Sequence, residues 1–377
     1  MIYLDYSATT PTSMEVLDTF NRVSKDFIGN PNSLHRLGVE AKKLEEEATR
    51  QIATLLHVKE DEIIYTSGSS ESNNLAIKGI ALKYQNRGKH ILTTSLEHSS
   101  IYGPIGYLQK LGFTVEFLNT DEHGIVDIDD LKQKLKEDTI LVSIASVNSE
   151  TGLRQPVEEI GLLLKDYPKC FFHVDMTQSI GKINIPFDNI DLASFSGHKI
   201  YGIKGIGCLV KKENIELEPI IHGGKSTTKY RSGTPALALI ASLSKALRMA
   251  LQDLDQKYQY VSDLNVYLKN ALKKYSNVTI NSNDYSIPHA LNISVLNVKP
   301  ETMLHALEEK DIYISTQSAC SSSNAISKAV LEVTKNELQA RHSIRISLSH
   351  LTTKQEIDTF LETFDEIIQK FKDLNQE

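Results

Sequence analysis

The chain is poor in cysteine. Cys170, Cys208 and Cys320 are too few and too scattered for a disulfide framework or a tetrahedral zinc site. No apolar run reaches the roughly 18 residues that a membrane span needs. Met1-Ile2-Tyr3-Leu4-Asp5 has neither the cationic start nor the apolar core of a secretory signal, so a cytoplasmic location is expected. There is no basic excess either: the formal net charge of -7 argues against direct nucleic-acid binding through a broadly basic surface. Internal repeats and low-complexity segments are absent. What remains is 377 residues, long enough for one large and one smaller domain, each burying its own core.

Periodicity then sets the fold class. Helices are expected over Ser13 to Ser24 and Leu37 to Leu55, the second with Ala41, Leu44, Ala48, Ile52 and Leu55 on one stripe. Strands near Ile63, 90–93, 113–118 and 140–147 alternate with helical stretches near 70–86, 99–111 and 127–137. Further strands follow near 170–174, 190–195 and 206–210. Such alternation implies a mostly parallel sheet covered on both faces. A long helix is expected from Pro235 to about Tyr275, and the remainder mixes strands near 278–281, 290–296 and 343–347 with helices near 300–309 and 353–372.

Three stretches carry chemistry. Ala193-Ser194-Phe195-Ser196-Gly197-His198-Lys199 follows a strand-like run, and a lysine amine desolvated there becomes a nucleophile toward carbonyls, which makes Lys199 the Schiff-base candidate. Phe171-Phe172-His173-Val174-Asp175 reads as a strand ending in a carboxylate, with Gln178 just beyond. Ser67-Gly68-Ser69-Ser70-Glu71-Ser72-Asn73-Asn74 opens a helix with small hydroxyl residues, the composition of an anion cup as well as of an ordinary N-cap. Phosphate donors, an acid and an amine at the carboxyl ends of separate strands match the three needs of a phosphorylated pyridine aldehyde cofactor.

With those residues in hand, the chain resembles a fold-type I pyridoxal-phosphate enzyme of the class V aminotransferase family, specifically the cysteine desulfurases of the NifS/IscS type. The shared motifs run in order from Tyr3 to Pro11, through Gly29-Asn30-Pro31, Thr66 to Leu75, Glu97-His98 and Val147-Asn148. They continue through His173 to Gln178, Ser196 to Lys199, Arg231 to Thr234, Ser318-Ala319-Cys320 and Ser343-Ile344-Arg345, spanning nearly the whole chain.

The resemblance implies an α/β fold with a large, mostly parallel-sheet domain over 13–260 and a small α+β domain over 261–377, completed by the N-terminal segment 1–12. It implies pyridoxal 5'-phosphate held by Ser69, Ser70, Ser196 and His198 at the phosphate, Asp175 at the ring nitrogen and Gln178 at the phenolic oxygen. By the same resemblance His98 would stack on the ring and move protons with Lys199. Asn148 would lie beside Gln178 and help orient substrate. Thr234 is expected to reach the phosphate of the other subunit, which implies a homodimer. Arg345 would clamp the substrate carboxylate.

The implied reaction converts L-cysteine to L-alanine, with sulfur taken as a persulfide by a Cys320 thiolate on a polar loop expected to be exposed and mobile. A sulfur-acceptor protein, either an iron-sulfur scaffold or a tRNA-thiolation enzyme, would take it onward. A selenocysteine lyase or another beta-eliminating enzyme of the class, and a catalytically weak sulfur-relay protein, stay open as alternatives. Gln317 stands where the family has glycine, Gly202 to Gly207 lacks the usual proline, and His222 to Tyr230 departs from the family's glutamate-containing run, with Lys225 and Lys229 adding charge. Cys170 and Cys208 sit in strand-like runs and read as small buried thiols.

Overall fold

The computed structural model describes residues 1–224, 226–316 and 326–374. In chain order its first elements are β1 (Ile2–Tyr3), α1 (Met14–Asp26), α2 (Arg36–Leu56), β2 (Ile63–Thr66), α3 (Ser69–Tyr84), β3 (His90–Thr93), α4 (Ser99–Lys110) and β4 (Thr114–Phe117). Then come α5 (Ile128–Lys134), β5 (Thr139–Ala145), α6 (Val157–Leu164), β6 (Phe171–Asp175), β7 (Leu192–Ser196) and β8 (Gly207–Lys211). The chain continues with α7 (Leu237–Leu251), α8 (Leu254–Leu272), β9 (Val278–Ile280), β10 (Ala290–Val295), α9 (Pro300–Glu308) and β11 (Ile312–Tyr313). It closes with α10 (Lys328–Thr334), α11 (Glu337–Arg341), β12 (Ser343–Ser347) and α12 (Lys354–Leu374).

Among the described residues, seven strands form one sheet in the order β2-β8-β7-β6-β5-β3-β4. β8 runs antiparallel to both neighbours and the other pairs are parallel, so β2 points the same way as β7. Period-two alternation divides the strand residues between two layers. Ile64, Ile91, Leu141, Leu192 and Leu209 join α3 and α4 in one core, while Leu92, Val142, Phe172, Ala193, Phe195 and Val210 join α2, α6 and α7 in the other. Phe172 and Phe195 are fully buried there, each contributing about 1.5–3 kcal/mol by the area removed from water.

A third core gathers Leu4 with Val261, Leu268, Leu291, Ile293, Ile344, Phe360 and Phe364, around the antiparallel sheet β12-β10-β9. The N-terminal β1 pairs in parallel with β11, which ties the start of the chain to this part.

The single long helix expected from Pro235 to Tyr275 is corrected: α7 and α8 are separate. Gln252 leaves α7 with ψ 132, and Asp253 adopts a left-handed φ of 53 before α8 starts. Aspartate tolerates that conformation better than most residues. Lys257 then reaches back and donates to the carbonyls of Met249 and Gln252 at 2.6 and 2.7 Å, satisfying acceptors that a continuing helix would have used.

Candidate active site

Register across the sheet assembles the site. Thr66 of β2 and Ser196 of β7 both pair with Gly207 of β8, while Asp175 of β6 pairs with Ser194 of β7 and with Ala145 of β5. The ends of β2, β7, β6 and β5 thus lie along one edge. Next to Thr66, Gly68 turns the chain with φ +154 into α3, whose N-terminus carries no side-chain cap. A Cβ at Gly207 would lie 2.6 Å from the Gly68 Cα, so this close approach requires glycine. The first-turn amides of α3 remain open at a positive dipole end.

A cavity of about 650 Å³ opens at this edge, lined by Ser69, Ser70, His98, Asn148, Asp175, Gln178, Ser196, His198, Lys199 and Arg345 among others. Lys199 closes a tight turn directly after β7, and its Nζ donates to the carbonyls of Ser7 and Ala8 at 2.5 and 2.7 Å. Burial, and then the Arg345 charge, pull its amine down to about 8. The N-terminal segment is fixed over that turn by Thr10, whose N–H and Oγ1 both donate to the His198 carbonyl at 2.9 Å. His198 itself pairs through Nδ1 with Thr9 Oγ1 at 3.1 Å, and burial with the nearby lysines lowers its imidazole to about 4.

Asp175 is held at both oxygens. Oδ2 accepts from Asn73 Nδ2 at 2.9 Å, and Oδ1 accepts from the Thr177 N–H at 2.9 Å and from the Thr177 hydroxyl. Thr177 Oγ1 lies 2.8 Å from Ser69 Oγ, so the acid and the candidate anion cup share a contact. His98 is the N-cap of α4: its Nδ1 accepts from the Ser100 N–H at 3.2 Å and lies 2.8 Å from Ser100 Oγ. Burial lowers its imidazole, with Asp175 pulling up and Lys199 pushing down.

Gln178 donates through Nε2 to the Ser7 carbonyl at 2.9 Å and accepts from Lys182 Nζ at 2.8 Å. Asn148 donates to the Leu96 carbonyl, while its Oδ1 takes the N–H groups of Glu150 and Thr151 and the Thr151 hydroxyl. Arg345, on β12, donates from Nη1 to the Ser149 carbonyl and from Nη2 to Asp5 Oδ1, and its buried Nε has no partner among the described residues. Thr234 is exposed and does not line this cavity. Cys320, Gln317, Ser318 and Lys225 lie outside the described residues. Cys170 and Cys208 are buried, and burial raises both thiols.

Sequence reasoning missed several contributors. Asp5 lies in the Tyr3 to Pro11 motif, where nothing local sets it apart, although a carboxylate is the natural counterion of a buried arginine. Asn73 and Thr177 were likewise unassigned, and the Asp175-x-Thr177 spacing is itself the signature of a side-chain turn. Glu97 is the fourth. Its Oε1 accepts from Thr94 Oγ1 and the Ala145 N–H, Oε2 has no partner among the described residues, and burial with the Asp175 charge raises its carboxyl to about 8.

Comparison with known proteins agrees with this geometry. Residues 2–360 match the family described as aminotransferase class-V. The chain is 38% identical over 379 residues to a protein named cysteine desulfurase IscS from Dictyoglomus turgidum, covering 99% of this chain and 96% of that one. It is 42% identical over 385 residues to a NifS/IcsS protein homolog from Lactobacillus delbrueckii subsp. bulgaricus, covering 100% and 99%. A solved structure titled NifS-like protein superposes with a TM-score of 0.92 at 32% identity, covering 98% of this chain and 99% of that one. Another, titled SspA in complex with cysteine, gives 0.82 at 32% identity over 94% of this chain and 100% of its own. Motif order, sheet topology and full-length identity converge, and the chain belongs to the class-V aminotransferase family, in its NifS/IscS cysteine desulfurase group.

Proposed function

We propose that this chain is a cysteine desulfurase using pyridoxal 5'-phosphate, which moves the sulfur of L-cysteine onto Cys320 and releases L-alanine. The observation that carries the reading is one cavity bordered by the Lys199 amine, the doubly held Asp175 carboxylate and the uncapped N-terminus of α3.

The residues fit the cofactor's polar edges. Open amides of α3 with Ser69, Ser70, Ser196 and His198 would hold the phosphate, Asp175 the ring nitrogen, Gln178 the phenolic oxygen and Lys199 the aldehyde. His98 would cover the ring, with Asn148 beside it. When bound, the ring supplies a sink for electrons from the substrate's α-carbon.

The chain's own groups do the rest. Arg345 lines the cavity with a guanidinium already aligned by Ser149 and Asp5, a planar fork suited to the substrate's carboxylate. Lys199, with its amine lowered to about 8, holds and returns a proton near neutral pH. His98 keeps Nδ1 occupied by Ser100, leaving Nε2 to exchange protons in the cavity. A Cys320 thiolate bonds to the substrate sulfur as the carbon-sulfur bond breaks. That sulfur is oxidised to the persulfide level, and the β-carbon is reduced to a methyl group as it takes up a proton.

The proposal includes a homodimer in which Thr234 serves the partner's cavity. Ile28 and Leu34, 78% and 98% exposed, stand unburied in a single chain, as a second copy would require. It also includes a sulfur-acceptor protein (an iron-sulfur scaffold or a tRNA-thiolation enzyme) and a cytoplasmic location. Among the described residues no helix is long and apolar enough to cross a membrane. The two cores flanking the seven-stranded sheet are read as a large domain over 13–260, and the core around β12-β10-β9 as a small one over 261–377 completed by the N-terminal segment 1–12.

L-cysteine with reductant should give equal amounts of alanine and sulfide. Cys320→Ser should abolish both while preserving the cofactor's absorbance. An unchanged rate in that variant rejects the persulfide step, and turnover of L-selenocysteine that survives it would mark a beta-eliminating enzyme instead.

A further inference from the structure

Asn73, the fifth residue of α3, is fully buried and touches both ends of the candidate site. Its Nδ2 donates to Asp175 Oδ2 and to Ser100 Oγ, each at 2.9 Å. Ser100 Oγ in turn lies 2.8 Å from His98 Nδ1. A primary amide nitrogen carries two hydrogens, and both are used here. The amide orientation is therefore set: Asp175 as a carboxylate accepts only, so nitrogen must face it. The cost is visible on the other side, where Asn73 Oδ1 is buried with no partner among the described residues. A stranded buried carbonyl is destabilising in its own right, and an apolar side chain of the same size would not incur it.

No other residue type of this size does the same work. Aspartate would set a second carboxylate against Asp175, serine has one hydrogen for two acceptors, and leucine has none. With its oxygen already taking a hydrogen bond from Asn73, the Ser100 hydroxyl is directed to give its own proton to His98 Nδ1, beside the Ser100 N–H that does likewise. Both donors favour the ring form with Nδ1 bare and the proton on Nε2.

We propose that Asn73 is a positioning residue which joins Asp175 to His98 through Ser100, fixing the acid's direction and the histidine's tautomer together. It touches neither reacting atom. Its place one turn into α3 means that the helix forming the anion cup also sets the two groups that would lie at the ring. The cofactor half of this inference rests on the proposed function, and the histidine half does not.

The test uses the full chain with ring-15N-labelled histidine, first without pyridoxal phosphate. His98 is identified by its loss in His98→Gln. Charges facing it are Asp175, Lys199 and Glu150, all kept in the variants. In the parent, neutral His98 should carry its proton on Nε2. Asn73→Leu and Ser100→Ala should each raise its titration midpoint by about half a pH unit, because each weakens donation to Nδ1. The double variant should show no more than Ser100→Ala alone. In a second readout, Asn73→Leu should weaken equilibrium binding of pyridoxal phosphate about tenfold, through the freed Asp175. An unmoved His98 midpoint in folded Asn73→Leu, or shifts that add in the double variant, overturns the inference. Should Asn73→Leu not fold, Asn73→Ala carries the same expectations. A parent chain that takes up no pyridoxal phosphate defeats the proposed function instead and leaves the His98 measurement decisive for Asn73.

Discussion

Arg345 Nη2 donates to Asp5 Oδ1 at 2.8 Å, joining residues 340 positions apart at the rim of one cavity. The contact follows from the strands: Asp5 bridges Ser347 in parallel, and the Ser347 N–H donates to the Leu4 carbonyl at 2.7 Å. Asp5 stays partly exposed while the arginine side chain is 5% exposed, so the charge that needs neutralising is the buried one. With Nη1 on Ser149 and Nη2 on Asp5, the guanidinium is oriented before any ligand arrives. Preorientation of this kind converts into affinity for a second carboxylate.

Arg345→Lys should therefore raise KM for L-cysteine about tenfold or more while changing kcat by less than about threefold. An ammonium can replace one donor of the fork but not its planar pair, and the lost contact is binding shared by ground and transition states. Steady-state kinetics at fixed pH decides this. A KM equal to that of the parent would remove Arg345 from substrate recognition and leave it as a strut between β12 and the N-terminal segment.

Glu97 predicts a pH effect on stability. Its carboxyl is raised from 4.5 to about 8 in the folded chain, by burial first and by the Asp175 charge last, against the bonds from Thr94 and Ala145. Between these values an unfolded Glu97 is ionised while a folded one stays protonated, so the folded state binds more protons and stability falls as pH rises. Glu97→Gln keeps an acceptor for Thr94 and the Ala145 N–H but cannot ionise. Between pH 5 and pH 8 it should lose less stability than the parent, the difference being on the order of 2–4 kcal/mol. Urea melts at the two pH values measure it, and parallel losses in both proteins would refute a protonated Glu97.

The alternation of strands and helices from Ile63 to Val210 was legible because each strand is short, apolar and bounded by a turn. β3 and β12 fall where the β-branched and apolar runs place them. That Lys199, Asp175 and the start of the Ser67–Asn74 run border one cavity was legible, since strand ends in an open sheet are where ligands sit. Helix α6, with Leu162 exposed amid apolar neighbours, lacks a polar stripe from which to read a period. The two-residue strands β1 and β11 are too short for any periodicity and exist through mutual pairing. The break at Asp253 depends on one residue's left-handed backbone and on Lys257 capping from the next helix, which no local pattern announces. Asp5 and Asn73 were invisible for a similar reason: their roles are long-range contacts, to Arg345 and to Asp175, that only the closed fold creates.

The last expectation concerns assembly. Single exposed apolar residues are ordinary on any surface, but Ile28 and Leu34 in the segment joining α1 to α2, and Leu37 and Val39 in the first turn of α2, are all exposed within one short stretch. That segment is attached through Asn32 Nδ2 to Ser226 Oγ at 3.0 Å, in the stretch that leads to the exposed Thr234. A two-fold contact here would bury the apolar side chains and carry Thr234 toward the partner's cavity, since a two-fold axis repeats every contact. Leu34→Asp would then place two carboxylates in the apolar contact of each dimer, a cost that a single exposed site does not incur. Sedimentation velocity should show the variant shifted to monomer at micromolar concentration, with weaker cofactor retention. Its thermal midpoint without cofactor should fall to that of the dissociated parent and no further, because the leucine makes no core contact within its own chain. A Leu34→Asp protein that stays dimeric and holds its cofactor as tightly as the parent would place the interface elsewhere and sever Thr234 from the partner's site.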